Sequence, residues 1–494
     1  MSLKHLRSTS LLLALSVGLL LLVWFTRLNA IQSFPPFVDE LVHIFGSEQG
    51  YTVSPLANAT LGRQGTIWWL MLFQPHRASP FWIARVVTVL AFLPGLAAMI
   101  GLARLFAGTP AALFTGLLFL FSSYHMFFGR LALADPISGS VVLVAVWAAA
   151  RLARRQRLTD ALLTGLLLAA AVVAKINVLP YLGIPLAAAL TLRAPHHFTW
   201  RAQLRWLGVA LGSAVGLITA FIFTLRLFGH DFFTNSVSLA LTQRGNSPLE
   251  VLFDPARILA NISVSLGILA AYTGPLALAL LLLSLLLLAA RRQFYLLLCL
   301  IGPTATLWFS QVQESRFFVV PLALLFITAA ISLAQIARRP PIRAAVVVLM
   351  LLWGAVQWLP FTRLAATQPL QLPLPPEDIY QYLESDASAT GYAQAQSFLA
   401  AYPVREVVAL LANCQAYRYM LLGQYPVLCP RINPNGSSIP DLVTLLEDKR
   451  QPGVYAILQA IPYVPQTAPG KLLTIIDRPG DGPDLAIYDL APDS

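Results

Sequence analysis

The chain has 494 residues, 57% of them hydrophobic and only 11% charged, with a net charge of +11 and a mean hydropathy of +0.70. So much apolar sequence excludes a soluble globular protein and implies a helical, multi-pass membrane protein, because each bilayer crossing takes about 20 apolar residues and helices satisfy their own backbone in lipid. Residues 1–363 hold 26 Lys/Arg against 9 Asp/Glu, whereas residues 364–494 hold 7 against 13; the basic residues lie scattered in short loops, which is an orientation pattern and excludes a nucleic-acid patch.

About eleven membrane helices are expected, starting near residues 10, 80, 111, 136, 160, 180, 207, 261, 294, 317 and 344. The first, Ser10 to Phe25, follows Lys4 and Arg7. No small-x-small site follows it in TRLNAIQS, so it is expected to remain as an uncleaved helix. Arginines then mark every second loop, after the second span (Arg104), the fourth (Arg151, Arg154, Arg155, Arg157), the sixth (Arg193, Arg201, Arg205), the eighth (Arg291, Arg292) and the tenth (Arg338, Arg339, Arg343). This places the N-terminus in the cytoplasm and the chain in the plasma (inner) membrane. The alternate loops then face outside and hold every acid of residues 1–363 except Asp160.

Two of those outer loops are long, 27–79 and 229–260, and both belong to a transmembrane domain expected over residues 1–361. The first contains QGTIWWLMLFQPH, too short to span and expected to lie in the membrane interface. A Pro-rich linker at 362–376 leads to residues 377–494, expected to form an extracytoplasmic α+β domain. There PVREVVALLANC and SIPDLVTLLEDKR read as amphipathic helices and GVYAIL as a strand. KLLTIID and LAIYDL read as a hairpin around RPGDGPD. Cys414 and Cys429 in this domain are a candidate disulfide, while Cys299 sits inside a span.

Chemistry-bearing residues gather in the outer loops. Asp39 and Glu40 adjoin each other in FPPFVDELVHIFGSEQG. A carboxylate there can take the proton of an acceptor hydroxyl while its neighbour binds acceptor or metal; the same pair would also suit a helix N-terminus. His43 lies four residues after Asp39, on the same helical face, a D-x-x-x-H pair with too few ligands to define a metal site. FFGRLALADP carries Arg130 and Asp135, suited either to phosphate and sugar or to each other. Lys175 is the only lysine between residues 5 and 448. It ends a span on the outer side, where it needs an anion, either a phosphate or Asp135. Glu314 and Arg316 stand in QVQESRFFVVP, as a local pair or as part of a site. Arg85 is a further candidate just inside the second span. No HExxH, P-loop or G-x-G-x-x-G in its proper context appears, which argues against a zincin or a nucleotide hydrolase. The rival reading, a transporter or flippase of a lipid-linked or anionic substrate, calls for broken helices or internal repeats with charges near mid-bilayer. Here the charges collect at the outer ends of spans.

In their order along the chain, Asp39-Glu40, Arg130 with Asp135, Lys175, and Arg316 followed by Phe317 and Pro321 resemble the GT-C-fold glycosyltransferases that use polyprenyl-phosphate sugars. The closest look is to protein O-mannosyltransferase-like enzymes and lipid A aminoarabinose transferases. The resemblance covers residues 1–361, and the soluble tail also looks like tails of that group. It implies an inverting transfer of a sugar from a polyprenyl-phosphate carrier at the outer leaflet to a hydroxyl of a protein, lipid or glycan. It further implies Asp39 as base, Glu40 and His43 near acceptor or metal, and Arg130, Lys175, Arg316 and Arg85 on the donor phosphate. Asp135 and Glu314 would orient sugar, and an apolar groove between spans would hold the prenyl chain. Some of these enzymes use a divalent metal ion and others none, and the residues here leave both open. Two departures, His43 where relatives carry Tyr and Ile176 where they carry Gly, bear on acceptor and donor identity.

Overall fold

The structure is a computed structural model that describes residues 3–57, 59–192, 199–230, 254–309, 314–430, 432 and 438–492. Most of the outer loop expected at 229–260 lies outside the described residues. The chain is mostly helical and divides into two compact units. One comprises residues 1–31, 49–72 and 85–367; the other comprises 32–48, 73–84 and 368–494. The first half of the chain supplies α1 (Leu3–Leu28), α2 (Val38–Thr52), α3 (Gln64–Met71), α4 (Pro80–Leu120), α5 (Ser123–Phe128), α6 (Ala134–Arg155), α7 (Leu158–Ala174), α8 (Ile184–Thr191) and α9 (Trp200–Leu227). Apolar helices at Pro255–Thr273, Pro275–Ala290, Phe294–Trp308, Val319–Ile336 and Pro340–Trp353 follow.

Among the described residues six helices are long and apolar enough to cross a membrane, and five shorter apolar helices accompany them. The spans expected from 80 and 111 are two helices that meet within α4 at a break at Ala107 and Gly108, whose backbone leaves the helical region (Gly108 φ +75°). The expected list of spans changes in one place. The single span expected from 261 is two helices, because Gly274 adopts φ +82° and Pro275 opens a new helix. A Gly in that conformation ends one helix, and Pro lacks the N–H needed to continue it but suits the first turn of the next.

Small residues draw the first unit together. Val142, Ala145, Val146 and Ala149 recur at helical spacing on α6 and are all buried. On α7, a Cβ added to Gly165 would stand 2.5 Å from the Ala210 carbonyl of α9. Between lipid-soluble helices such close backbone approach replaces the hydrophobic effect as the source of packing. The outward faces expose Phe223, Leu276, Leu280, Leu349 and Leu352, as suits helices solvated by hydrocarbon.

The second unit is built on a five-stranded sheet in the order β2-β1-β3-β5-β4. Its strands are β1 (Glu406–Leu410), β2 (Val427–Leu428), β3 (Val454–Gln459), β4 (Lys471–Ile476) and β5 (Leu485–Asp489). β1 runs parallel to both β2 and β3, and the expected β4–β5 hairpin is antiparallel. The expected Ile439–Asp448 helix starts with a Ser438–Asp441 capping box and buries Leu442 and Leu446 against Val408, Val454 and Leu458. One expectation is corrected: residues Glu406–Leu410 of PVREVVALLANC are a strand, not a helix. Val407 through Leu410 are fully buried, so the strand lacks the alternation of a half-buried one. A continuous apolar run buried on both faces is the mark of a parallel central strand.

Cys414 and Cys429 form the expected disulfide, closing 15 residues between the Cys414–Met420 helix and the end of β2. Replacing both cysteines by serine should destabilise this unit by about 3 kcal/mol, from the chain entropy returned to the unfolded state. The check is thermal unfolding of the full chain, wild type with and without reductant against the double variant. Equal melting temperatures in all three would show the bond to be idle.

Candidate functional site

In the first unit the end of α7 is the organising point. Lys175 leaves the helix with extended backbone and opens a 3₁₀ turn, Ile176–Gly183. Its flanks are stitched to the start of α3: Ile176 N donates to Gly62 O at 3.1 Å, and Thr66 Oγ1 donates to Ala174 O at 3.0 Å. Gly65 makes this contact feasible, since a Cβ there would lie 2.8 Å from the Ala174 backbone. The turn holds the Lys175 side chain in the interior, 5% exposed, with Nζ 2.5 Å from Asp135 Oδ1 at the start of α6. The ring of Phe317 lies 5.1 Å from Lys175 Nζ and 5.9 Å from Arg316 Cζ, so its π face receives both cations. Arg316 pairs with Glu314 two residues away.

Arg316 and Arg63 both act on the Lys175 ammonium as like charges. Lys175 and Arg316 thus bring two cations to one place, each with a carboxylate beside it, Asp135 and Glu314. Asp135, Lys175, Arg316 and Phe317 line a cavity of about 330 Å³ together with Asn177 and Thr306. An anion entering it would meet a guanidinium fork and a point charge in a low-dielectric setting, where both act strongly. Arg63 was not among the sequence candidates. Its only signal was a lone arginine, LGRQG, just before the aromatic interfacial segment.

Short α5 steadies this region from behind. Tyr124 Oη donates to Ser315 O at 2.6 Å, and His125 Nε2 lies 3.1 Å from Val319 O. The two contacts bracket Arg316 and Phe317. On the far side of α6, Ile137, Val141 and Val144 help line an apolar groove of about 960 Å³ with Trp68, Leu90 and Phe221.

The other two sequence-selected arginines bind backbone carbonyls just after α1. Arg130 donates through Nη2 to Asn29 O at 3.0 Å and also to Ala30 O. Arg85 donates through Nη1 to Ile31 O at 2.9 Å. Both are buried and grip the carbonyls that end α1; neither lines the Lys175 cavity.

Asp39, Glu40 and His43 belong to the second unit. They occupy the first two turns of α2, with both acids in the opening turn, where the helix dipole favours negative charge. Glu40 is buried, and its Oε2 accepts from Phe37 N at 3.1 Å, the reach-back half of a capping box. Asp39 is half-buried and His43 fully buried. Among the described residues no group of three or more His, Cys, Asp or Glu side chains is placed to hold a metal ion.

Neither a protein-family model nor a curated protein matches this sequence. The structure does have solved counterparts. ArnT from Cupriavidus metallidurans bound to undecaprenyl phosphate superposes with a TM-score of 0.56 over 98% of this chain and 99% of that one, at 14% identity. The same protein in its apo state gives 0.54 over 99% and 100%, again at 14% identity. The chain has a GT-C fold. Similarity over the full length of both chains means that the likeness includes residues 377–494 as well as the apolar helices.

Proposed function

We propose that this chain is a membrane glycosyltransferase that moves a sugar from a polyprenyl-phosphate donor to an acceptor hydroxyl, inverting the anomeric carbon. The observation that carries the reading is that Lys175 and Arg316 converge on the wall of one 330 Å³ cavity. Support comes from a fold shared with a protein solved with undecaprenyl phosphate. In this reading Lys175 and Arg316 bind the donor phosphate, Arg63 adds to their field, and Asp135 holds Lys175 in place. Glu314 sets the Arg316 head. The 960 Å³ groove across α6 suits the prenyl chain, being apolar almost throughout.

Asp39 is the base. Its carboxylate takes the acceptor hydroxyl proton as the oxygen bonds to the anomeric carbon. The bond from that carbon to the phosphate oxygen breaks, its electron pair leaves with the phosphate, and the cations stabilise the added charge. Glu40 fixes the start of the helix that carries Asp39. Arg130 and Arg85 act further back, on the carbonyls that end α1.

The test is to present the full-length protein in nanodiscs with a panel of undecaprenyl-phosphate hexoses and pentoses, together with a cell-envelope extract as the source of acceptor hydroxyls, and to follow release of undecaprenyl phosphate. Release from at least one donor is expected. No release from any, with no binding of undecaprenyl phosphate itself, would remove the reading. An extracytoplasmic position for residues 377–494 belongs to the same proposal. Lys471 is exposed, so a membrane-impermeant amine reagent should label it on intact cells; labelling only after lysis would reverse the orientation.

A further inference from the structure

The RPGDGPD loop between β4 and β5 carries a buried arginine, Arg478, 5% exposed. Among the described residues its guanidinium makes no ion pair and binds backbone instead. Nη2 donates to two backbone carbonyls, Ser385 O at 2.8 Å and Ser388 O at 3.0 Å, and Nη1 donates to Pro483 O at 3.3 Å. The loop closes on itself through Arg478 N to Asp484 Oδ1 at 3.0 Å. Its glycines let it press against the same segment: a Cβ on Gly482 would stand 2.6 Å from Glu384 O. Asn413 holds the segment from another side, donating to Ala387 O at 2.5 Å.

What the 385–390 segment does next is hold the entrance of α2. Phe37 and Ser388 form an antiparallel bridge. Val38 N donates to Ala387 O at 3.1 Å, and Ala389 N donates to Pro36 O at 2.9 Å. The Phe37 ring lies 4.5 Å from that of Tyr382. Phe37 is the residue before α2, so these bonds fix where the helix starts and hence where Asp39, two residues on, is held. The other end is gripped too. Tyr419 donates its hydroxyl to Glu48, and Arg418 stands 3.6 Å from the same carboxylate. Burial first, and this bond with it, push the Tyr419 phenol above its ordinary value, so it stays a donor.

We propose that Arg478 is a positioning residue for Asp39, acting through the carbonyls of Ser385 and Ser388 and the Phe37–Ser388 bridge. The proposal rests on the reading of Asp39 as base. Backbone carbonyls hold no charge of their own, so a planar fork with several fixed donors is needed to tie a loop by them, and lysine is not its equal.

The test uses the full chain with Arg478→Gln, Arg478→Lys and, leaving the arginine intact, Gly482→Ala. Hydrogen exchange should show protection lost at residues 36–40 and 385–390 while β3 stays protected. Turnover should fall about 100-fold, the scale of a misplaced catalytic group, with affinity for undecaprenyl phosphate unchanged. Arg478→Lys should recover only a small part of the loss. Unchanged protection at 36–40 would overturn the latch. Protection lost with turnover intact would overturn the positioning role, as would a matched loss of phosphate affinity. If instead Asp39→Asn retains full turnover, it is the base assignment that fails, and the exchange result still stands by itself.

Discussion

Replacing Asp39 by Asn should lower turnover by about 10²- to 10⁴-fold, the range in which general-base catalysis contributes, while leaving the affinity for undecaprenyl phosphate unchanged. Asn keeps the size and polarity of the side chain at the second position of α2, so the helix start survives. What is lost is the ability to accept a proton. Part of the helix-dipole attraction for an acid is lost as well, worth about 0.3–1 kcal/mol, which full-length thermal unfolding can report separately. Glu40→Gln provides the contrast. Its amide oxygen can still accept from Phe37 N, so the cap is kept and turnover should fall far less. Equal losses at both positions would mean that the helix start, rather than one carboxylate, is what activity needs. Full activity in Asp39→Asn would remove the base assignment outright.

The second large effect concerns Lys175. Lys175→Met should weaken binding of undecaprenyl phosphate about 10- to 100-fold, as expected for loss of a charge-assisted hydrogen bond of roughly 1.5–3 kcal/mol. It should also destabilise the protein by about 3–5 kcal/mol, because Asp135 is left as a buried carboxylate without its ammonium. The two consequences can be separated. In Lys175→Met/Asp135→Leu both charges are gone, so stability should return, since an apolar pair of similar volume often serves a buried site as well as an ion pair does. Binding should not return with it. If the double variant regained phosphate binding, Lys175 would have only a packing role.

The residues that were legible from sequence are those whose partners lie close along the chain or whose type is rare. Lys175 stood out as a lone lysine at a span end, and it pairs with Asp135 as one of its two sequence readings allowed. Glu314 and Arg316, two residues apart, form their local pair. The Ile439–Asp448 helix and the β4–β5 hairpin followed from periodicity and turn residues. What escaped has no local signature. Arg63 becomes a neighbour of Lys175 only because Gly65 lets α3 meet α7. The reach of Arg130 to Asn29 and Ala30 spans about a hundred residues of chain, which FFGRLALADP does not show. β1 was read as a helix because burial on both faces erased the alternation that marks a strand. The partition of the first loop was likewise hidden, since nothing in residues 32–48 announces that their partners begin at 368.

That partition has a consequence for the order of synthesis. Residues 32–48 are among the first to emerge from the ribosome, whereas the 385–390 segment and Arg478 come more than three hundred residues later. At roughly 5–20 residues per second the wait is tens of seconds. Over that interval Phe34, Phe37 and Ile44, all buried in the finished protein, wait without the segment around Tyr382 and Ser388 that Phe37 meets. The nascent loop must be sheltered by the membrane surface or a chaperone until its partner segments arrive. A chain stopped before residue 368 would therefore misfold from its beginning as well as lack its end.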